Sequence, residues 1–334
     1  MELFIPEYYE KFRCLASACP DSCCHQWTVD VDAETAERYR SLSGTLGDRL
    51  RQVMADTEDG VQMRIENDRC PMWRQDGLCQ IQLELGHDAL CQTCREFPRL
   101  RHDYGDFAEL GLEMSCPEAA RMLLTEPWGD IIARQVDGGE PPEYDTEAMS
   151  ILRESRREIL AFLQNDAYSI AETLQVLLLY GYEVQSWLDG GAPAILDPAA
   201  CRAAAKKYAQ PGNMQDIFDF FKGLEILTPQ WKAKLAAGPM EQPLHPYTRA
   251  LLRYGIYRYW YQAVSDYDLV CRVKFIVIYC LMVSTLEGDF VQNAQLFSKE
   301  IENDPDNVEA ILDGAYTHPA LTDAALLWLS RELR

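Results

Sequence analysis

The sequence has little positive charge. Its 334 residues include 31 Lys and Arg against 53 Asp and Glu, and the formal net charge is −22. Nucleic-acid binding depends on clusters of Lys and Arg that neutralise phosphates, and no such cluster is present. The charge therefore argues against a nucleic-acid partner. It favours a basic partner, although an acidic surface that only keeps a protein in solution has the same composition.

Long apolar runs are also missing. The two longest, VLLLYGY at 176–182 and FIVIYCLMV at 275–283, fall short of the roughly 20 residues that a membrane span needs. The first residues, MELFIPEYYEKFRC, show neither the basic start nor the apolar stretch of a signal peptide. We therefore expect a cytoplasmic protein that has no membrane partner.

Two groups of chemical motifs are absent as well. No G-x-G-x-x-G loop follows a predicted strand, so the sequence shows no Rossmann-type site for a nucleotide or a methyl donor. The regular ferredoxin run of four cysteines is missing. A C-x3-C-x2-C triplet is missing too, because Cys19 and Cys23 are followed at once by Cys24.

Cysteine, in contrast, is concentrated in one part of the chain. Nine of the 12 cysteines fall within the first 116 residues: Cys14, Cys19, Cys23, Cys24, Cys70, Cys79, Cys91, Cys94 and Cys116. The other three, Cys201, Cys271 and Cys280, lie in apolar helical sequence, where a buried cysteine acts as a small hydrophobic residue. We assign a metal-binding role to the nine and none to the three.

The cysteine spacing leaves the kind of metal open. Disulfides are disfavoured, because they need an oxidising compartment and an odd number of cysteines leaves one unpaired. A zinc site usually combines two short knuckles, and only Cys91–Cys94 forms a clean one. An iron–sulfur cluster accepts less regular spacing and binds thiolates well. The spacing indicates a metal or a cluster, and nine thiols also allow a second metal.

The remaining pattern predicts a mainly α protein, in which a cysteine-rich, irregular metal- or cluster-binding region (1–130) packs on an α-helical C-terminal domain (146–334). A linker or surface loop, rich in Gly, Pro and acids, is expected over 131–145. Within the first part we predict one long helix over 32–56, a strand over 61–67 and a helix from Pro117. The predicted C-terminal helices are 146–164, 169–188, 213–224, 246–265, 268–287, 289–303, 306–315 and 320–333.

Three stretches resemble one family. They are YEKFRCLASACPDSCCHQWTVDVDAETAERY, CPMWRQDGLCQIQLELGHDALCQTCREFPRL and EMSCPEAARMLL. Together they look like the flagellin lysine-N-methylase (FliB-like) family over residues 8–124, and all nine cysteines fall on its motif positions. The first stretch is also similar to a broader group of zinc- or iron-chelating domains whose signature ends in a Cys-Cys pair.

The resemblance implies methylation of lysine ε-amino groups on flagellin, with S-adenosylmethionine as the donor and a [4Fe–4S] cluster as a required cofactor. The alternative is a chelating module in which zinc or iron is structural and no reaction occurs. Methyl transfer needs a neutral amine, so a nearby group must take the lysine proton. The candidates for this and for surrounding an ammonium, none assigned individually, are Asp21, Asp30, Glu96, Glu118, Tyr8, Tyr9, Trp27 and Tyr104, with His25 as a further ligand or neighbouring donor.

Overall fold

The computed structural model describes residues 1–25, 27–58 and 60–333. Within these ranges the chain forms sixteen α-helices and seven strands, so the mainly α prediction is confirmed. None of the helices in this part of the chain is both long enough and apolar enough to cross a membrane.

The first 135 residues alternate between short strands and short helices. In order these are β1 (Glu2–Pro6), α1 (Glu7–Lys11), β2 (Val29–Val31), α2 (Ala33–Ser41), α3 (Gly44–Val53), β3 (Met54–Thr57), β4 (Gly60–Met63), α4 (Gln80–Leu85), α5 (Gln92–Glu96), β5 (Arg99–Asp103), β6 (Phe107–Leu112), α6 (Pro117–Thr125) and β7 (Ile131–Gln135).

The strands form two sheets where the sequence predicted irregular structure. One sheet has the order β5-β6-β1-β7, with β1 parallel to β6 and the other pairs antiparallel. The other has the order β2-β4-β3 and is antiparallel throughout. One of these strands, β4, overlaps the strand predicted over 61–67. The prediction missed the others because strands of three to six residues are too short to show clear alternation, and β6 is buried at every position. The first five residues of the expected loop form β7.

The prediction of a single helix over 32–56 is wrong. Asp32 caps α2 as expected, since its carboxylate accepts a hydrogen bond from the Thr35 amide at 3.0 Å. The helix nevertheless ends at Ser41, and Gly44 adopts a φ of +83° at the start of α3. Glycine takes this left-handed conformation without steric cost, so the chain turns here. The residues after Val53 then form β3.

The rest of the chain is helical. Its helices are α7 (Thr146–Phe162), α8 (Ile170–Leu188), α9 (Pro198–Tyr208), α10 (Met214–Phe221), α11 (Pro229–Ala237), α12 (Thr248–Tyr259), α13 (Val270–Thr285), α14 (Phe290–Phe297), α15 (Pro305–Thr317) and α16 (Asp323–Glu332). Two of them, α9 and α11, were not predicted, because both are short and contain few large apolar residues. Each begins with a proline after a capping side chain, Asp197 or Thr228.

Helix α13 lies at the centre of the helical part, as its apolar sequence predicts. All of its residues are buried, and it packs against α8, α12, α14, α15 and α16. Cys271 and Cys280 are buried on this helix, which fits their interpretation as packing residues. After α14 the helix widens into a π-helical segment, Ser298–Glu302, of a kind often found at functional sites.

The buried apolar residues form two cores. The larger one joins the helices to the β1–β6 sheet through residues such as Tyr8, Phe107 and Leu112. The smaller one lies within the cysteine-rich part and includes Tyr39 and Met72. The two cores meet near the cysteines, since Trp27 packs against the smaller core and Phe97 against the larger.

Candidate metal centre

A tight turn brings Cys23 and Cys24 together. The Asp21 carboxylate accepts a hydrogen bond from the Ser22 amide at 2.7 Å, and the Ser22 hydroxyl accepts one from the Cys24 amide at 3.1 Å. The Cys24 carbonyl in turn accepts a hydrogen bond from the Cys70 amide at 2.8 Å. This backbone bond joins the first cysteine segment to the second.

The Cys91–Cys94 knuckle is held by α2. Cys91 stands at the start of α5 and Cys94 lies within that helix. The amide of Gln92 donates to Asp32 Oδ2 at 2.8 Å, while Asp32 Oδ1 caps α2. The Asp32 carboxylate therefore fixes α2 and α5 to each other, and it places the Cys91–Cys94 knuckle beside the smaller core.

Six cysteines interact with one another, and we call them the six-thiol group: Cys23, Cys24, Cys70, Cys79, Cys91 and Cys94. The Cys24 thiol is hydrogen-bonded with those of Cys23 and Cys70, and the Cys94 thiol with that of Cys91. Cys79 is close enough for Cys70 and Cys23 to affect its ionisation. Chain segments more than 60 residues apart thus meet at one cluster of sulfur atoms.

The hydrogen bonds within the six-thiol group divide its members into readily ionised and protonated thiols. Hydrogen bonding from Cys24 lowers the pKa of Cys23 to about 7, and hydrogen bonding from Cys94 lowers the pKa of Cys91 to about 7. The same bonds raise the pKa of the donors Cys24 and Cys94. Each pair therefore loses its first proton near neutral pH, and thiolates are the form that binds metals.

The remaining three cysteines form a neighbouring three-thiol group: Cys14, Cys19 and Cys116. Burial raises the pKa of Cys116 to about 12, and nearby Cys19 and Cys14 contribute in the same direction. Burial also raises the pKa of Cys19, which lies close to Cys14 and Cys23. Cys19 therefore links the two groups.

The donor set suits a group that prefers sulfur ligands. In the described ranges, no three Cys, His, Asp or Glu side chains already converge to hold one metal ion. Five of the six thiols are instead hydrogen-bonded with one another, Cys24 with Cys23 and Cys70, and Cys94 with Cys91. A metal or cluster binds by replacing thiol protons, so adjacent paired thiols are a suitable ligand supply.

Lys299 of the π-helical segment approaches the same turn. Only 2% of its side chain is exposed, and its ammonium lies 2.9 Å from Asp21 Oδ2. It also lies 5.1 Å from the centre of the Trp27 ring. Gln295 donates to Asp21 and to the Ser115 carbonyl. The helical part thereby holds the turn that carries Cys23 and Cys24.

A cavity of about 230 Å³ opens beside these thiols. We call it the Trp27–Glu113 cavity. Its walls include Cys23 and Cys94 of the six-thiol group, the rings of Trp27 and Phe97, and the polar side chains of Thr28, Thr93, Glu113 and Asn303. The two rings are 5.5 Å apart between centres. The Trp27 indole N–H donates to the Cys23 carbonyl at 2.9 Å, which fixes the ring next to the thiols.

Burial raises the pKa of Glu113 at the inner wall of this cavity. Its carboxylate accepts a hydrogen bond from the Ser115 hydroxyl at 2.7 Å and is also hydrogen-bonded by Asn303. The nearest buried cation, Arg258, pairs with Glu302 at 3.4 Å, and the Glu302 side chain is fully buried. The hydrogen-bond donors to Glu113, Ser115 and Asn303, are both neutral.

The Glu302 carboxylate is held by a set of tyrosines. It accepts hydrogen bonds from the hydroxyl groups of Tyr254 and Tyr259, and that of Tyr279 lies 3.5 Å away. Since Glu302 precedes Asn303, this network fixes the end of the π-helical segment at the cavity wall.

Most of the polar residues considered from sequence do not line the cavity. Asp30 accepts from Gln62 on the exposed side of β2, Glu96 is exposed at the end of α5, and Glu118 pairs with Arg121. Tyr8 is buried against Trp128 with ring centres 4.9 Å apart. Burial lowers the pKa of His25, which lies in a short bridge with Arg69.

Of the aromatic candidates, Trp27 lines the cavity. Glu113 and Asn303, which also line it, and the nearby Lys299 were not predicted as site residues. Glu113 lies in GLEMSC, between a fully buried strand and Cys116, and an acid in that position is the only signal in the sequence. Lys299 and Asn303 are ordinary polar residues of a predicted helix, and nothing in their local sequence distinguishes them.

A larger cleft, of about 790 Å³, lies elsewhere, and no cysteine is among the described residues of its wall. It is lined by Tyr104, Tyr144 and Tyr267 together with several carboxylates. Size alone would favour it as the site. The smaller cavity is the better candidate because thiols, aromatic rings and a half-buried carboxyl group meet there.

Comparison with known proteins finds relatives over part of the chain. Two proteins named lysine-N-methylase, from Salmonella typhimurium and Salmonella choleraesuis, are 30% identical over 129 residues, which cover 36% of this chain and 32% of theirs. A flagellar biosynthetic protein FliU from Salmonella muenchen is 29% identical over 135 residues, 36% of this chain and 76% of that protein. The chain thus matches about a third of the length of the two methylases.

These relatives confirm the similarity to the lysine-N-methylase (FliB-like) family that the cysteine motifs indicated. No family model matches the chain. No solved structure matches it either.

Proposed function

We propose that this protein methylates lysine side chains of a protein substrate, flagellin or a flagellin-like protein. S-Adenosylmethionine is the methyl donor, and a [4Fe–4S] cluster bound by the N-terminal cysteines is required. The names of the relatives support the reaction type and a flagellar substrate. The observation that carries the proposal in this chain is the Trp27–Glu113 cavity, where metal-binding thiols and a polar, aromatic pocket share one wall.

The six-thiol group would hold the cluster. Three thiolates would hold a [4Fe–4S] cluster and leave one iron open for the donor, and six thiols are adjacent here, two of which ionise near neutral pH. When bound, such a cluster supplies Lewis-acidic iron that can bind the amino-acid end of the donor. Residues of this chain would position the cluster, since Asp21 and Asp32 fix the two cysteine segments and the Trp27 ring is held next to Cys23.

The charge of the protein suits a lysine-bearing partner. A net charge of −22 attracts basic segments and raises their encounter rate. The carboxylates around the 790 Å³ cleft add to this field. Charge steers the partner, whereas the choice of a particular lysine depends on the cavity.

A second function deserves a test because of the Cys91–Cys94 knuckle. Its spacing is typical of zinc sites, and it packs against the smaller core, whose stability would depend on a bound metal. In this alternative the protein is a chelating module in which zinc or iron is structural and no methyl group is transferred.

Anaerobic purification followed by iron, sulfide and zinc analysis separates the two. The proposal expects about four iron and four sulfide per chain, as in a [4Fe–4S] protein, and transfer of a labelled methyl group from S-adenosylmethionine to lysine in flagellin. A matched flagellin with its surface lysines acetylated should accept no label. A colourless protein that contains only zinc and transfers nothing would overturn the proposal and leave the chelating module.

A further inference from the structure

We propose that the Trp27–Glu113 cavity is the pocket that receives the lysine side chain of the substrate, with the two rings around its alkyl part and the Glu113 carboxylate as partner of its ammonium. This inference rests on the proposed function and adds to it the place where the acceptor binds.

The size of the cavity fits a lysine side chain. Four methylenes and an amine are five heavy atoms, which need about 150 Å³ at the roughly 30 Å³ that a water molecule occupies in the liquid. The cavity has about 230 Å³. A whole S-adenosylmethionine molecule is several times larger than five heavy atoms, so a slender chain is the better occupant.

The aromatic walls suit an amphipathic cation. Trp27 and Phe97 lie 5.5 Å apart between ring centres, at an interplanar angle of 58°. Rings inclined in this way can contact the methylenes of lysine while their faces attract positive charge. Trp27 already contacts one ammonium, that of Lys299, at 5.1 Å. The charge of Lys299 is balanced by Asp21, so it does not exclude a second cation.

Glu113 supplies the negative charge that a lysine would need. It is half-buried, and its hydrogen-bond donors are the Ser115 hydroxyl and Asn303, both neutral. A carboxylate has about four acceptor positions, which leaves room for a further donor. Arg258 is already paired with Glu302. A lysine ammonium would therefore give Glu113 a direct cationic partner.

The same cavity touches Cys23 and Cys94. A lysine amine bound in it would lie next to whatever the six-thiol group holds. Proximity of acceptor and donor is a main requirement for group transfer between two bound molecules.

The test measures binding of two probes to the full-length, anaerobically purified chain by tryptophan fluorescence and by ligand-observed NMR. The probes are Nα-acetyl-lysine methylamide and Nα-acetyl-norleucine methylamide, which lacks the ammonium. We expect the lysine probe to bind at least about tenfold more tightly than the norleucine probe, and Glu113→Gln to remove that preference. Glu37→Gln, an exposed acid on α2, is the matched control and should bind like the wild type.

A second variant covers the case in which Glu113→Gln does not fold. Thr28 is exposed at the cavity wall, so Thr28→Tyr fills the space without changing either core. It should weaken lysine-probe binding at least about tenfold while circular dichroism and the melting temperature stay unchanged. Equal binding of both probes to the wild type, or unchanged lysine binding in the folded Glu113→Gln and Thr28→Tyr variants, would overturn the pocket.

The test of the lysine pocket and the test of the proposed methyl transfer can fail independently of each other. If methyl transfer occurs and folded Glu113→Gln keeps the wild-type KM for a lysine peptide, the pocket is wrong and the methyltransferase stands. If no methyl transfer occurs but lysine-probe binding depends on Glu113, the pocket stands and the proposed reaction is wrong.

Discussion

The ammonium of Lys299 lies 2.9 Å from Oδ2 of Asp21, and this ion pair connects residues 278 positions apart. Lys299 belongs to the π-helical segment of the C-terminal part, and Asp21 to the turn before Cys23 and Cys24. The pair therefore fixes the six-thiol group against the helices that complete the Trp27–Glu113 cavity.

Removing the charge of Asp21 should destabilise the protein more than removing the charge of Lys299. Asp21→Asn leaves the buried ammonium without a counter-charge and should cost about 3 kcal/mol of unfolding free energy. Lys299→Met should cost less, because 26% of the Asp21 side chain is exposed and its charge can be hydrated. Urea unfolding of both single variants and of the double variant measures this. The double variant should be more stable than Asp21→Asn, and equal, additive losses would contradict the argument.

A second buried pair lies between the sheet and the helices. Arg156 on α7 and Glu109 on β6 expose 7% and 4% of their side chains, and Arg156 Nη1 lies 2.8 Å from Glu109 Oε2. Glu109→Gln should destabilise the protein by about 3–5 kcal/mol, because a buried guanidinium loses its partner.

The control is the exposed pair Arg49–Glu66, where Glu66→Gln should cost less than about 1 kcal/mol. Chemical unfolding of the two variants side by side compares them. Similar losses at both sites would show that burial does not decide the strength of the pair between Arg156 and Glu109.

His102 on β5 should make stability depend on acidity. Burial lowers its pKa to about 4 from an ordinary value of 6.5, and its Nε2 atom is buried with no hydrogen-bond partner among the residues that the structure describes. Between pH 6.5 and 4 the unfolded chain binds a proton at this residue and the folded chain does not, so stability falls as the pH falls. The slope is up to about 1.4 kcal/mol per pH unit.

His102→Gln should remove this part of the slope, which is measured as the difference between variant and wild type in urea unfolding across pH 4 to 7. Other acidic groups titrate in both proteins and cancel in the difference. Parallel curves would mean that His102 ionises as readily in the folded chain as in the unfolded one.

The metal content should depend on the six-thiol group and not on the buried helical cysteines. Cys70→Ser or Cys94→Ser removes a soft ligand from the hydrogen-bonded pairs, so bound metal should fall by more than half and the melting temperature by several degrees. Cys201→Ala, on α9, is the control and should keep the metal. Metal analysis and thermal unfolding of the same preparations measure both effects, and full metal retention in both serine variants would remove the six-thiol group as the centre.

Much of the helical part was predictable from local sequence. Helices α7, α8, α12 and α13 have long periodic or wholly apolar patterns, and these patterns depend only on neighbouring residues. Short strands such as β2 and β6 were not predictable, because their formation depends on partners far along the chain. The break after Ser41 is a similar case, since a single glycine with positive φ outweighs a helical pattern.

The candidate site, too, was predictable from the sequence only in part. The concentration of nine cysteines in the first 116 residues is visible in the sequence, and it indicates metal chemistry because thiolates are strong ligands wherever they meet. Their grouping into six and three is not visible, since Cys24 and Cys70 or Cys23 and Cys94 become neighbours only through folding.

The composition of the site can be read from the sequence: which thiols are available, the acidic charge and the similarity to lysine-N-methylases. Which polar residues join the thiols depends on how the chain folds. Glu113 follows a buried strand, Asn303 ends a π-helical segment and Trp27 follows a cysteine turn, and packing of the two cores places all three around one cavity. Contacts across so many residues depend on how whole elements pack, and no local pattern encodes that.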